Sequence, residues 1–252
     1  MKIATWNVNS LNVRLPHLLS WLAEAAPDVV GLQELKCEDV KFPIDAIRNA
    51  GYEAVFTGQK TYNGVAILAR NAITEVQRGI PGYDDPQQRV IAATVDGVRI
   101  VNAYFPNGQA PGSEKFVYKL DWLEHLTVWL QHELATFPQL CLIGDYNIAP
   151  TDADAHPDWK EEIHVSPPER AAFAALEALG LNDVFRKFEQ PEKSFSWWDY
   201  RMNAFRRNFG LRIDHVLAST ILAQRCTACA IDKSTRGLER PSDHAPVIAT
   251  FG

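Results

Sequence analysis

Residues 140–150 read Leu140-Cys141-Leu142-Ile143-Gly144-Asp145-Tyr146-Asn147-Ile148-Ala149-Pro150, an apolar run that stops in two polar side chains and then a proline. The pattern predicts a buried strand that delivers Asp145 and Asn147 to its carboxyl end. An ionised carboxylate there is disfavoured unless it is paired or bound to metal, which points to chemistry. The competing reading is a turn in which both side chains satisfy their own backbone, and this stretch alone leaves the two level. Other polar groups stand in similar places. Asn7 ends the first strand pattern, Glu34 closes 27–34, Tyr104 lies near the end of 98–105, Asp214 interrupts 211–217, and Asp243-His244 precedes 247–251. Four acids and one histidine converging on the strand ends, the edge where α/β folds collect ligands, suit a hard divalent cation such as Mg²⁺. Zinc would want more His or Cys.

The elements that must position these residues follow from periodicity. A helix is expected from about Leu15, with Leu15, Leu18, Leu19 and Leu22 on its apolar face, and a short one near 43–50. Strands 52–57 and 64–69 flank a polar loop, 58–63, where Lys60 and Tyr62 either touch a phosphate backbone or sit in a solvated hairpin. Strands 89–95 and 98–105 turn at Asp96-Gly97, a strong hairpin signal. Residues 114–135 repeat apolar positions at helical spacing from Phe116 to Leu134, and a helix over 168–179 is closed by Gly180. His125 and His132, without partners at metal spacing, are expected at the surface. The segment 194–210 interleaves aromatics with arginines, which suits bases stacking on rings and phosphates held by guanidinium groups; a core aromatic cluster is the alternative.

Nothing in the chain reads as a linker or charge block, so 1–252 is expected to be one α/β domain. Apolar content of 46% and charged content of 22% fit a globular protein. No apolar run nears the ~20 residues that span a bilayer, and Met1 leads straight into a strand pattern, so a cytoplasmic protein without signal peptide or membrane attachment is expected. Four cysteines make no disulfide framework; Cys226 and Cys229 are expected to be buried thiols pointing to opposite faces of a strand. With a net charge of −6, a polyanion would have to be met by a local basic patch.

In chain order, Thr5-Trp6-Asn7-Val8-Asn9-Ser10, Leu32-Gln33-Glu34-Leu35-Lys36, Tyr62-Asn63-Gly64-Val65-Ala66-Ile67, Tyr104-Phe105-Pro106-Asn107-Gly108, Gly144-Asp145-Tyr146-Asn147, Gly210-Leu211-Arg212-Ile213-Asp214 and Pro241-Ser242-Asp243-His244-Ala245-Pro246-Val247 resemble the motifs of the exonuclease III family. That family comprises divalent-metal nucleases and apurinic endonucleases within the endonuclease/exonuclease/phosphatase superfamily. The resemblance covers essentially the whole chain. It implies a four-layer αββα sandwich of two mixed β-sheets with helices on the outer faces. It implies Glu34 as the main metal ligand, helped by Asn7 and Asp243, with Mg²⁺ as cofactor and Mn²⁺ as a substitute. Asp145 would orient or deprotonate the attacking water, Asn147 would hold that water or the phosphate, His244 oriented by Asp214 would contact a phosphate oxygen, and Tyr104 would hydrogen-bond the phosphate. Trp197, Leu211 and Ile213 match a small apolar pocket for an extruded abasic sugar or terminal nucleotide, with Arg201 and Arg212 on the DNA side. His164 stands where members efficient at abasic sites carry a small residue; a loop over the minor groove would favour 3′ ends over internal abasic sites, whereas a solvent-facing histidine would do nothing. The implied activity is a DNA-repair phosphodiesterase, acting as a monomer on duplex DNA with 3′ ends, nicks or abasic sites. Phosphatases of inositol or lipid headgroups and a catalytically silent nucleic-acid-binding member remain the alternatives.

Overall fold

Several strands of this chain are unbroken apolar runs, and such runs persist only where both faces of a sheet are covered. The computed structural model describes residues 1–160 and 162–252 and provides that cover. Its elements run β1 (Lys2–Asn7), α1 (Leu11–Ala25), β2 (Val29–Gln33), α2 (Ile44–Asn49), β3 (Glu53–Thr57), β4 (Val65–Ala69), β5 (Thr74–Arg78), β6 (Val90–Val95), β7 (Val98–Tyr104), α3 (Glu114–Thr136), β8 (Leu140–Asp145), α4 (Pro167–Ala178), β9 (Leu181–Asp183), β10 (Asp214–Ser219), α5 (Thr220–Gln224), β11 (Cys226–Ile231) and β12 (Val247–Phe251). Two six-stranded mixed sheets form, in the orders β11-β12-β1-β2-β4-β3 and β5-β6-β7-β8-β10-β9.

Three apolar layers separate four layers of structure. Ile3, Val29 and Ile67 of one sheet meet Ile91, Ile143 and Val216 of the other in the central core. Trp21 and Leu22 of α1 cover the outer face of the first sheet against Val30 and Leu68. Trp122 and Leu126 of α3, with Phe173 of α4, cover the second against Val101 and Leu142. This is the expected αββα sandwich. Polar contacts cross the central layer as well: Gln33 Nε2 donates to Asn102 Oδ1 at 2.6 Å, and Asn102 Nδ2 donates back to the carbonyls of Leu32 and Ala66.

Some expectations need correction. β10 begins at Asp214; residues 211–213 are extended but make only isolated bridges, Leu211 with Ala155 and Trp197. β5 and β9 carry no apolar alternation, and periodicity alone does not find them. Cys226 and Cys229 are both buried thiols, yet both face the central core rather than opposite sides, because a register shift between Cys226 and Ala228 inserts a residue into the strand. His125 and His132 are exposed, as expected.

Candidate active site

β1, β2, β7 and β8 all end at one edge of the sandwich, where β10 and β12 begin. In this register Tyr104 lies beside Asp145, and Asp145 lies opposite Asp214. Gly144 makes that approach possible: a Cβ there would stand 1.8 Å from the Ala103 carbonyl oxygen. Two residues turn the chain away with positive φ, Glu34 at 53° and Asn147 at 50°. Such backbone is costly for non-glycine residues and concentrates where function holds it.

The side chains form one connected group. Asn7 Nδ2 donates to Glu34 Oε1 at 2.8 Å and to Asp145 Oδ2 at 2.9 Å. Asp145 Oδ1 accepts the Asn147 backbone N–H. His244 Nδ1–H donates to Asp214 Oδ2 at 2.9 Å, which leaves Nε2 facing Asp145 Oδ2 at 3.7 Å. Ser196 Oγ fixes Asp214 from behind at 2.7 Å. Burial opposes charge on His244, but Asp214 and Asp145 outweigh it and raise its pKa, so the ring is cationic at neutral pH. Burial pushes the Asp145 carboxyl up, with the His244 charge opposing and Asp214 adding to the rise. Burial and then the Glu34 and Asp145 charges hold the Tyr104 phenol protonated, so it can donate.

A cation fits this donor set. One ligand atom each from Glu34, Asp145 and His244 lies within 4.8 Å of the others. With His244 charged, the oxygens of Glu34 and Asp145 are the better ligands, as a hard divalent ion prefers. Lys36 Nζ, 2.8 Å from Glu34 Oε2, adds one positive charge, and the acids still outnumber the cations. Asn7 and Asp243, grouped with Glu34 from the sequence, are engaged otherwise. Asn7 turns its amide nitrogen to the carboxylates while its oxygen accepts from the Asn9 backbone. Asp243 takes bonds from Asn9 Nδ2 at 2.8 Å and Trp197 Nε1 at 3.0 Å. Beside Glu34 and Tyr104 opens a cleft of about 560 Å³, reached by Tyr62, Asn63, Arg89 and Lys115; of the 58–63 loop, Tyr62 rather than Lys60 lies on it.

Around Asn147 the structure shows Lys119 and Glu169, which the sequence reading missed, beside His164, which it named. The Asn147 side chain bridges the Phe105 carbonyl and Asn107 Nδ2. Its carbonyl accepts from Lys119 Nζ at 2.8 Å and from His164 Nδ1–H at 2.7 Å. Fully buried Lys119 is paired with Glu169, whose other oxygen closes a capping box with Ser166 at the start of α4. Both features were visible: Lys119 lies three residues after Phe116 and four before Leu123, on the buried face of α3, and Ser166-x-x-Glu169 is a capping-box spacing.

Two expected DNA-side positions are corrected. Arg212 is 1% exposed and holds Asp154 at 2.6 Å and Asp183 at 2.7 Å, because along extended chain it points opposite to its neighbours Leu211 and Ile213. His164 is 6% exposed; at φ 72° the chain turns its ring inward under Asn147, so it faces neither solvent nor the cleft beside Glu34. Burial and then the Lys119 charge push its pKa down to about 3. Leu211, Ile213 and Trp197 do cluster together, and Arg201 is exposed and paired with Asp199.

Comparison with known proteins agrees with this geometry. The chain is 38% identical to the exodeoxyribonuclease III of Haemophilus influenzae over the full length of both. A solved structure described as the 3′ phosphatase NExo from Neisseria bound to product DNA hairpin superposes with a TM-score of 0.97 at 49% identity, covering 100% of this chain and 99% of that one. An AP endonuclease from Archaeoglobus fulgidus gives 0.96 at 38% identity, with the same coverage. Residues 4–244 match the endonuclease/exonuclease/phosphatase family, to which this chain belongs.

Proposed function

We propose that the protein is a Mg²⁺-dependent DNA-repair phosphodiesterase, a 3′-5′ exonuclease and 3′-phosphatase on duplex DNA that also incises at abasic sites, working as a monomer in the cytoplasm. The observation that carries this reading is the Asn7 amide tying Glu34 to Asp145 while the Asp214–His244 pair faces the same carboxylate. Glu34 would be the main ligand of the cation, with Asn7, Asp243 and Asp145 close by. When bound, Mg²⁺ opposes the charge that grows on the phosphate oxygens.

The chain's own residues supply the rest. Asp145 accepts the proton of the attacking water, whose oxygen bonds to phosphorus as the bond to the leaving 3′ oxygen breaks. Cationic His244, held by Asp214, and the protonated Tyr104 phenol donate to phosphate oxygens. Asn147 fixes the loop behind them. His164 steadies the same loop through its hold on the Asn147 carbonyl.

The test is a panel of duplexes carrying a nick, a 3′-phosphate or an internal abasic site, beside an inositol phosphate, with Mg²⁺, Mn²⁺ or EDTA. Metal-dependent release from the DNA substrates alone is expected; turnover of the inositol phosphate alone would assign the site to the other branch of the family. On the same panel, His164→Gly is expected to slow every DNA substrate, and a gain confined to the abasic site would restore the minor-groove position.

A further inference from the structure

Beyond Trp197, away from His244, lies a second cavity, of about 390 Å³, which the catalytic group does not use. Its size falls among those of small-molecule sites, about 300–1,000 Å³. Trp159 and Phe209 line it, their rings stacked 5.6 Å apart, and the Arg207 guanidinium lies 5.8 Å over the Phe209 ring. Ala204 and the exposed Met202 add apolar surface. Trp159 also meets Trp197 edge to face at 6.0 Å, and Trp197 in turn lies 6.5 Å from the His244 ring. A row of aromatic rings therefore leads from the catalytic histidine to the cavity.

We propose that this cavity seats the nucleobase of the nucleotide being removed. The inference rests on the exonuclease reading above. In that reaction water adds to phosphorus and gives its proton to Asp145, the bond from phosphorus to the 3′ oxygen of the retained strand breaks, and that oxygen takes a proton from solvent water. The departing nucleoside 5′-monophosphate keeps its phosphate, so its sugar and base extend outward from His244. Half-buried Trp197, backed by the buried Leu211 and Ile213, presents the apolar surface nearest the sugar. The base comes one ring further, against the wall formed by Trp159 and Phe209, whose rings stack on each other. Among the described residues the lining charges are Asp158 and Asp199 against Lys160, Arg201 and Arg207, with Arg201 paired to Asp199, which favours a base over a second phosphate. A flat group with apolar faces and polar edges matches such walls, and stacking on aromatic rings is tolerant of sequence. Unstacking a nucleotide costs least at a strand end, where an exonuclease works.

The test uses nicked duplexes whose 3′ ends carry an ordinary nucleotide, a 3′-phosphate or a terminal abasic nucleotide, cut by wild type, Trp159→Ala and Trp159→Phe. Trp159→Ala is expected to lower kcat/KM for the ordinary nucleotide about tenfold relative to the two ends that have no base to seat. Trp159→Phe, which keeps a ring, should restore most of the ratio. An unchanged ratio in an active Trp159→Ala protein overturns the base subsite alone. Wild type inactive on all three ends overturns the reading of the catalytic site and the subsite with it. Deoxyadenosine 5′-monophosphate should also inhibit wild type more strongly than deoxyribose 5-phosphate, and equal inhibition contradicts the subsite.

Discussion

At the scale of single residues, the proposed reaction asks one carboxyl group, Asp145, to be both buried and able to change charge. Asp145 is 1% exposed and keeps its place through Asn7 and the Asn147 backbone, while His244 supplies the neighbouring positive charge. Asp145→Asn preserves shape and removes the proton acceptor. Turnover is expected to fall by about 10²–10⁴, the usual worth of a positioned acid or base, with DNA affinity retained; binding and single-turnover rates measured on one 3′-phosphate duplex check this, and a parallel loss of both would make Asp145 a binding group. His215 allows a second test, away from the chemistry. Its Nε2–H donates to the Ile148 carbonyl and its Nδ1 accepts from Arg212, so it is buried neutral. Burial and then the Arg212 charge lower its pKa to about 4. Stability from such a group is complete above the unfolded pKa of ~6.5 and is lost as pH falls through the folded value. In that window the unfolded chain holds one more proton, so His215 should contribute a decline of about 1.4 kcal/mol per pH unit. His215→Gln should flatten the wild-type slope by that amount in urea titrations between pH 6.5 and 4.5, and parallel slopes would contradict a neutral His215. Residue types at strand ends were legible in the sequence because polar groups there break an apolar run. The positions of Arg212 and His164 were not, because facing depends on which way extended chain alternates and on the sign of one φ angle.

At the scale of elements, the loop at Asn147 is held by helices as well as by its own strand. α3 supplies Lys119 and α4 supplies Glu169, and together they reach the Asn147 carbonyl through an ion pair sealed from solvent. Removing one partner of a buried pair leaves an uncompensated charge, so Lys119→Met is expected to cost about 3–5 kcal/mol. Lys119→Met with Glu169→Gln should recover much of that stability while kcat stays depressed, because the Asn147 carbonyl still lacks its lysine donor. Denaturation midpoints and kcat for the single and double variants decide it; recovery of kcat along with stability would reduce Lys119 to a packing role. The helix periods and the Asp96-Gly97 hairpin were read directly from the chain, since each has a strong local signal. β5, β9 and the bulge at Cys226 depend on pairing across the sheet, which no local pattern encodes.

At the scale of the molecule, two sheets packed back to back bring strand ends far apart in sequence to one rim. Asn7 and Glu34 come from one sheet, Tyr104, Asp145 and Asp214 from the other, and Gln33 with Asn102 ties the sheets together just behind them. The chain's net charge of −6 gives no general attraction for DNA, and Arg212 is spent inside the fold, so affinity depends on the groups around the cleft and on the metal. Sequence order alone foresaw the rim because each motif sits at the end of its strand; it did not foresee the cavity at Trp159, which residues from two separate loops assemble. The central claim is that Glu34 holds the divalent ion that the reaction requires. Release of phosphate from a 3′-phosphate nick should be followed against Mg²⁺ concentration for wild type and Glu34→Gln, with circular dichroism showing both folded. The account predicts activity in wild type that EDTA abolishes, and a Glu34→Gln curve displaced to much higher Mg²⁺ or flat at zero; superimposable curves would contradict it.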